Sequence, residues 1–137
     1  MALVATVPPG AVPEPGMSGK RRHAIMVRGL MERISATHRT LLQRLRAPQP
    51  AARVIATGGG ARSSEWLQIN ADMLEATIVA PRCHERACLG AAAFAAVAAG
   101  RFAGVPEALL AMVHSDRVVT PHTAATAVYA RARAVAS

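Results

Sequence analysis

Three consecutive glycines, Gly58, Gly59 and Gly60, close a short apolar run, and Ala61, Ser63, Ser64 and a helix-like stretch with the lone Trp66 follow at once. Glycine reaches positive φ without steric penalty and lets a ligand approach the backbone with no Cβ in the way. At a strand end leading into a helix, such a turn aims amide N–H groups and a helix dipole at an anion. The spacing is not a dinucleotide fingerprint, because Ser63 stands where the third small residue belongs. Nor is it a Walker-type loop, since no Gly-Lys-Ser/Thr follows. On spacing alone, nucleotide binding and a purely structural turn both remain open.

Other reactive side chains make weaker constellations. Cys83, His84 and Cys88 fall in "CHERAC", but a structural zinc site wants four ligands at set spacings and no second cluster completes these three. Cys88 therefore reads as a small core residue and Cys83 as a loop thiol. His23, His38, His114 and His122 are scattered without a nucleophile beside them. Asp72 invites reading as a general base, yet its place late in a helix, before Met73 and Leu74, favours a structural or solvent-facing role.

These residues need elements to hold them. Residues 1–19 are rich in Pro and Gly and read as a flexible arm, with a single partial domain over 20–137. A long helix is expected from Lys20 or Arg22 to about Leu45, with an apolar stripe of Val27, Leu30, Met31, Ile34, Leu41, Leu42 and Leu45. The segment "APQPAA" from Ala47 to Ala52 breaks it. Arg53 to Ala56 reads as a short strand, and Ser63 or Ser64 as the cap of a helix ending near Leu74. Thr77 to Val79 is a second strand, stopped by Pro81. Glu85 to Ala99 is an Ala-rich helix, read as buried. A shorter helix runs from Pro106 to about Val113, an extended segment from Val118 to Thr123, and a last helix from Thr123 to about Ala134. The pattern is α/β and helix-rich, with two or three short strands, fewer than a parallel sheet covered on both faces normally has.

Composition bounds the class. The chain has 137 residues, 52% of them hydrophobic but only 3% aromatic, so close packing of small side chains must replace large core fillers. Two cysteines make no disulfide framework, which points to the cytoplasm. The longest apolar run, Ala87 to Gly100, falls short of the roughly 20 residues of a membrane span. The formal net charge is +8. Most of that excess lies in the first 50 residues, along the helix 20–46, so a basic, non-enzymatic module binding nucleic acid or an acidic partner is the alternative reading. Aromatics that would stack on bases are absent from that third of the chain.

The ordered motifs decide between these readings. "GGGARSSEWLQINADML" closely resembles the adenosine-site segment of the FGGY family of carbohydrate kinases, through Gly58, Gly59, Gly60, Ala61, Ser63, Trp66, Gln68, Ala71 and Asp72. "ERACLGAAAFAAVAAGRF" resembles the family's connecting helix, with Glu85, Ala87, Gly90, Ala91 and Ala92 in register. "RVVTPH" resembles its closing extended segment, and "RGLMERI" the helix that members write as Arg-Ala-x-x-Glu-Gly-Ile. Gly29, Arg33 and Arg86 depart from that pattern. The resemblance spans roughly residues 20–133.

It implies a partial RNase H-like lobe of the actin/hexokinase-like ATPase fold. It also implies a fragment of an ATP-dependent carbohydrate kinase, in which phosphate moves from ATP, with Mg²⁺, to a sugar or polyol hydroxyl. Gly58, Gly59, Gly60 and Ala61 would carry the adenosine and phosphates on backbone atoms, with Ser63 or Ser64 nearby. Trp66 and Gln68 would sit on the helix behind, packing or hydrogen-bonding there as readily as touching ligand. The sugar pocket and catalytic Asp of the family have no counterpart in the matching region. The isolated chain is therefore expected to be inactive, to bind no membrane, and to self-associate through open sheet edges.

Overall fold

The computed structural model describes Val4 and residues 6–45, 53–83 and 85–136. The long helix α1 spans Gly19–Leu45 and is followed by strand β1, Arg53–Ile55. A short 3₁₀ turn, Gly59–Arg62, leads into α2, Ser64–Leu74, and strand β2, Thr77–Pro81. Then come α3, Arg86–Ala98, α4, Val105–Met112, strand β3, Ser115–Val119, and α5, Thr123–Ala136. The break expected at "APQPAA" lies outside the described residues, as does His84.

The strands form one mixed sheet in the order β1-β2-β3. β1 pairs parallel with β2, Val54 opposite Ile78, and β2 pairs antiparallel with β3, Val79 opposite Val118. β2 is the central strand, and its Ile78, Val79 and Ala80 are buried. That burial follows from sequence: three small or β-branched residues between neighbours on both sides fit a pleated, covered surface. β3 begins three residues before the extended stretch expected at Val118. Its first half, Ser115-Asp116-Arg117, is polar because an edge strand faces solvent, and so it reads as loop.

Two apolar clusters hold the helices. Ala61, Leu67, Ala71, Leu74, Ala76, Ile78 and Ala80 join α2 to the sheet. Ala24, Ile25, Met31, Ile69, Met73 and Tyr129 join α1, α2 and α5, with Val4 and Val7 packed in. Val4 and Val7, in the stretch whose composition suggested a loose arm, thus pack on the core, and the Gly10 amide reaches the Glu32 carboxylate at 3.2 and 3.3 Å. Both valines are 5% exposed.

The inward face of α1 is Ala24, Ile25, Arg28, Met31 and Ser35, rotated from the expected stripe. Leu30, Leu41 and Leu45 are 59%, 49% and 81% exposed. A polar hub causes the rotation. Arg28 Nε donates to Glu32 at 2.9 Å, Tyr129 Oη donates to Glu32 at 2.8 Å, and Arg28 Nη2 donates to Tyr129 Oη at 3.1 Å. Buried polar groups must be paired, so Arg28 and Glu32 take inward positions that leucine would otherwise hold. Helix α3 also departs from expectation. It packs on α4, and only its Ala93 is buried, while Phe94 is 65% exposed. Cys88 on the same helix is exposed, not a core residue.

Candidate functional site

The glycine turn sits at the carboxyl end of β1. Gly58 has φ 79° and ψ −166°, a backbone region essentially restricted to glycine. Gly59 and Gly60 lie inside the 3₁₀ turn and have no positive φ, so the strained position is Gly58 alone. A Cβ built on any of the three would meet nothing within 4 Å, so this stretch of backbone presents an open face. The Ala61 amide donates to the Gly58 carbonyl at 3.1 Å and the Ser63 amide to the Gly60 carbonyl at 3.2 Å, which closes the turn on itself. Ala61 is buried and anchors the turn to α2 and the sheet.

The two serines face the start of α2. Ser63 is its N-cap: its Oγ accepts from the Trp66 amide at 3.1 Å. The same hydroxyl donates to Glu65 Oε2 at 3.0 Å, and Ser64 Oγ donates to that oxygen at 3.4 Å. Hydrogen bonds from the Glu65 backbone amide and then from Ser63 hold the Glu65 carboxyl below its usual range. Both hydroxyls are thus engaged by a first-turn carboxylate that also suits the positive end of the helix dipole. Sequence reasoning passed over Glu65, although an acidic residue directly after Ser-Ser at a helix start was the available signal.

Behind the turn lies a cavity of about 360 Å³ between the second half of α1, β1 and α2. Leu42, Val54, Trp66, Leu67, His38 and Asn70 line it, with Gly60 and Ala61 at the turn end. His38 Nδ1 and Asn70 Oδ1 are 3.2 Å apart, and Asn70 Nδ2 donates to the Trp66 carbonyl at 2.9 Å. Trp66 is therefore both a packing residue and a wall of the space next to the glycines.

Asp72 is an anchor. It is 2% exposed, and its Oδ1 accepts from Gln68 Nε2 at 2.8 Å and from the His122 amide at 2.7 Å. Gln68 also donates to the Thr120 carbonyl at 3.0 Å. These bonds fasten the β3–α5 connection to α2 and leave Asp72 no role as a base at the turn.

Arg117 is the contact at the turn that sequence gave no hint of. From β3, its Nη2 donates to the Ala61 carbonyl across 56 positions of chain. Among the described residues no group of three His, Cys, Asp or Glu side chains is placed to hold a metal ion. No helix among them is long and apolar enough to cross a membrane.

Comparison with known proteins places this arrangement. Residues 8–99 match the model of the C-terminal domain of the FGGY family of carbohydrate kinases. A gluconokinase of Bacillus licheniformis is 38% identical over 87 residues, 62% of this chain and 17% of that protein. The L-xylulose/3-keto-L-gulonate kinase of Escherichia coli (strain K12) is 30% identical over 115 residues, 83% of this chain and 23% of that one. The crystal structure of a xylulose kinase from Rhodospirillum rubrum superposes with a TM-score of 0.64 at 29% identity, over 95% of this chain and 30% of that one. The chain thus spans about a fifth of the length of the curated relatives it matches. The helix-rich α/β fold with its small mixed sheet is part of the actin/hexokinase-like ATPase fold of these sugar kinases. With the motifs in order along a matching fold, the chain belongs to the FGGY family of carbohydrate kinases, within the C-terminal domain.

Proposed function

We propose that this chain supplies the adenosine-binding turn of an ATP-dependent carbohydrate kinase, a phosphotransferase with a sugar or polyol hydroxyl as acceptor. The observation that carries the reading is the backbone at Gly58, Gly59 and Gly60. A glycine-only conformation at Gly58 opens a turn whose outer face has no side chain, within the region that matches the family. That face suits a nucleotide held by main-chain atoms, with Gly58, Gly59, Gly60 and Ala61 as the binding residues. Ser63 and Ser64 are close enough to take part, though their hydroxyls have Glu65 as a partner.

ATP would bring the phosphoryl group that is transferred. Phosphoryl transfer rests on positioning and on neutralising charge. Glu65 is engaged by the helix cap, Asp72 by its anchor bonds, and Glu85 lies 3.8 Å from Arg62 of the turn. These residues do not form a ligand set for the Mg²⁺ that the family reading implies. No step through that ion is assigned to them. The reading carries a cytoplasmic setting, where ATP is supplied. The arginine excess is partly internal, since Arg28, Arg39 and Arg117 are tied to carboxylates and carbonyls, which takes support from a basic binding module.

Trp66 is the only tryptophan and borders the same cavity as Gly60 and Ala61, so its emission reports on the turn. Titration with Mg·ATP should change that emission saturably, and Gly59→Val should abolish the change with the circular dichroism spectrum intact. An identical response in the Gly59→Val protein would sink the assignment.

A further inference from the structure

The Ala61 carbonyl lies in the last turn of the short 3₁₀ segment, where carbonyls run out of partners within their own helix. Its partner comes from another element: Arg117 Nη2 donates to it from β3. Arg117 is itself fixed, because β3 pairs with the central strand and sets Arg117 opposite Ala80. The guanidinium is about one-third exposed, and its Nε lies 3.6 Å from Asp116 Oδ2 on the same strand. A charged donor thus ties the glycine turn to the far edge strand, across the end of the sheet.

We propose that Arg117 is a positioning residue for the nucleotide. By holding the Ala61 carbonyl it fixes the turn in the conformation that exposes the Gly58–Gly60 backbone. It also sets a positive charge behind a turn that would meet phosphate. Arginine suits this task because its planar fork donates to the carbonyl through one nitrogen while another lies within ion-pair range of the neighbouring carboxylate. The inference rests on the nucleotide reading above. A charge-assisted hydrogen bond on a turn that must be ordered for binding is worth about tenfold in affinity when it is lost.

The test compares wild type, Arg117→Met and Arg117→Lys, each with Mg·ATP followed through Trp66 emission. Measurements are made at a temperature where circular dichroism shows every variant folded. Arg117→Gln replaces the Met variant if that protein does not fold. Amide hydrogen exchange at Ala61 and Ser63 is measured without nucleotide. The expected result is a loss of about tenfold in ATP affinity with Met, with faster exchange at the two turn amides, and substantial rescue by Lys, which keeps a charged donor. A purely architectural role would lower the melting temperature and leave the affinity of the folded protein unchanged. That outcome overturns the inference while the nucleotide reading stands. A wild-type protein that gives no response to Mg·ATP overturns both.

Discussion

At the scale of single residues, Gly58 and Tyr129 make the sharpest claims. Gly58 sits where a Cβ is disfavoured by the backbone, although space for one is open. Gly58→Ala should therefore lower stability by about 1–3 kcal/mol, the range for a residue held in a sparsely populated region. Gly59→Ala, at a position without positive φ, should leave the melting temperature nearly unchanged, and equal effects in thermal melts would refute the distinction. Tyr129 is the only tyrosine and is 4% exposed. Burial first, and then its bond to Glu32, push its phenol well above the usual value of about 10. A raised folded-state value means that its contribution to stability is present below pH 10 and fades as pH rises toward the folded value. Phenolate absorbance should thus appear only above pH 10 and together with unfolding, whereas a normal reversible titration in the folded protein would contradict the buried hub. Neither role of Tyr129 was legible in sequence, because its partner Arg28 lies 101 positions away. The glycines were legible as a turn, but which of them carries the strain was not, since that depends on where the 3₁₀ segment begins.

Among the elements, α2 shows what local sequence encodes well. Ser63 was a candidate cap by residue type and position, and it caps. Ser63→Ala should cost about 0.5–2 kcal/mol, the usual loss of an N-cap, while Ser64→Ala, whose hydroxyl makes a long 3.4 Å bond to Glu65, should cost little. Chemical denaturation of both variants checks this, and the same proteins separate capping from ligand contact if nucleotide affinity is followed alongside. At its other end α2 closes with Glu75 in the left-handed region at φ 54°, where glycine is usual. Its carboxylate lies 2.9 Å from both Arg39 on α1 and Arg133 on α5, which explains a charged residue at that cap. β1, β2 and α2 were readable because their apolar periods are local. The facing of α1 and α3 was not, because the first is set by a buried polar hub and the second by which neighbour covers it. Ala-rich sequence signals low polarity, and α3 shows that low polarity alone does not bury a helix.

For the molecule as a whole, the sheet and the α3–α4 pair govern behaviour in solution. Among the described residues β1 has a neighbour on one side only, and its Ile55 is 63% exposed. An unpaired strand edge next to apolar surface is a template for pairing with another chain. Phe94 and Leu110, 65% and 84% exposed, add a second apolar region on α3 and α4. The net charge of +8 opposes association at low ionic strength, and salt screens that repulsion within about 10 Å at 0.1 M. Self-association driven by the edge and the apolar faces should therefore strengthen as salt is raised, the opposite of binding through the arginines. Ile55→Lys, which places a charge on the edge, should shift sedimentation toward monomer at equal concentration, and Phe94→Lys should do so to the extent that α3 takes part. Sedimentation velocity at two salt concentrations separates the cases. A chain that stays monomeric at about 0.1 mM in high salt, with the Ile55→Lys protein indistinguishable from wild type, would show that the open edge is protected by β1's short length of three residues.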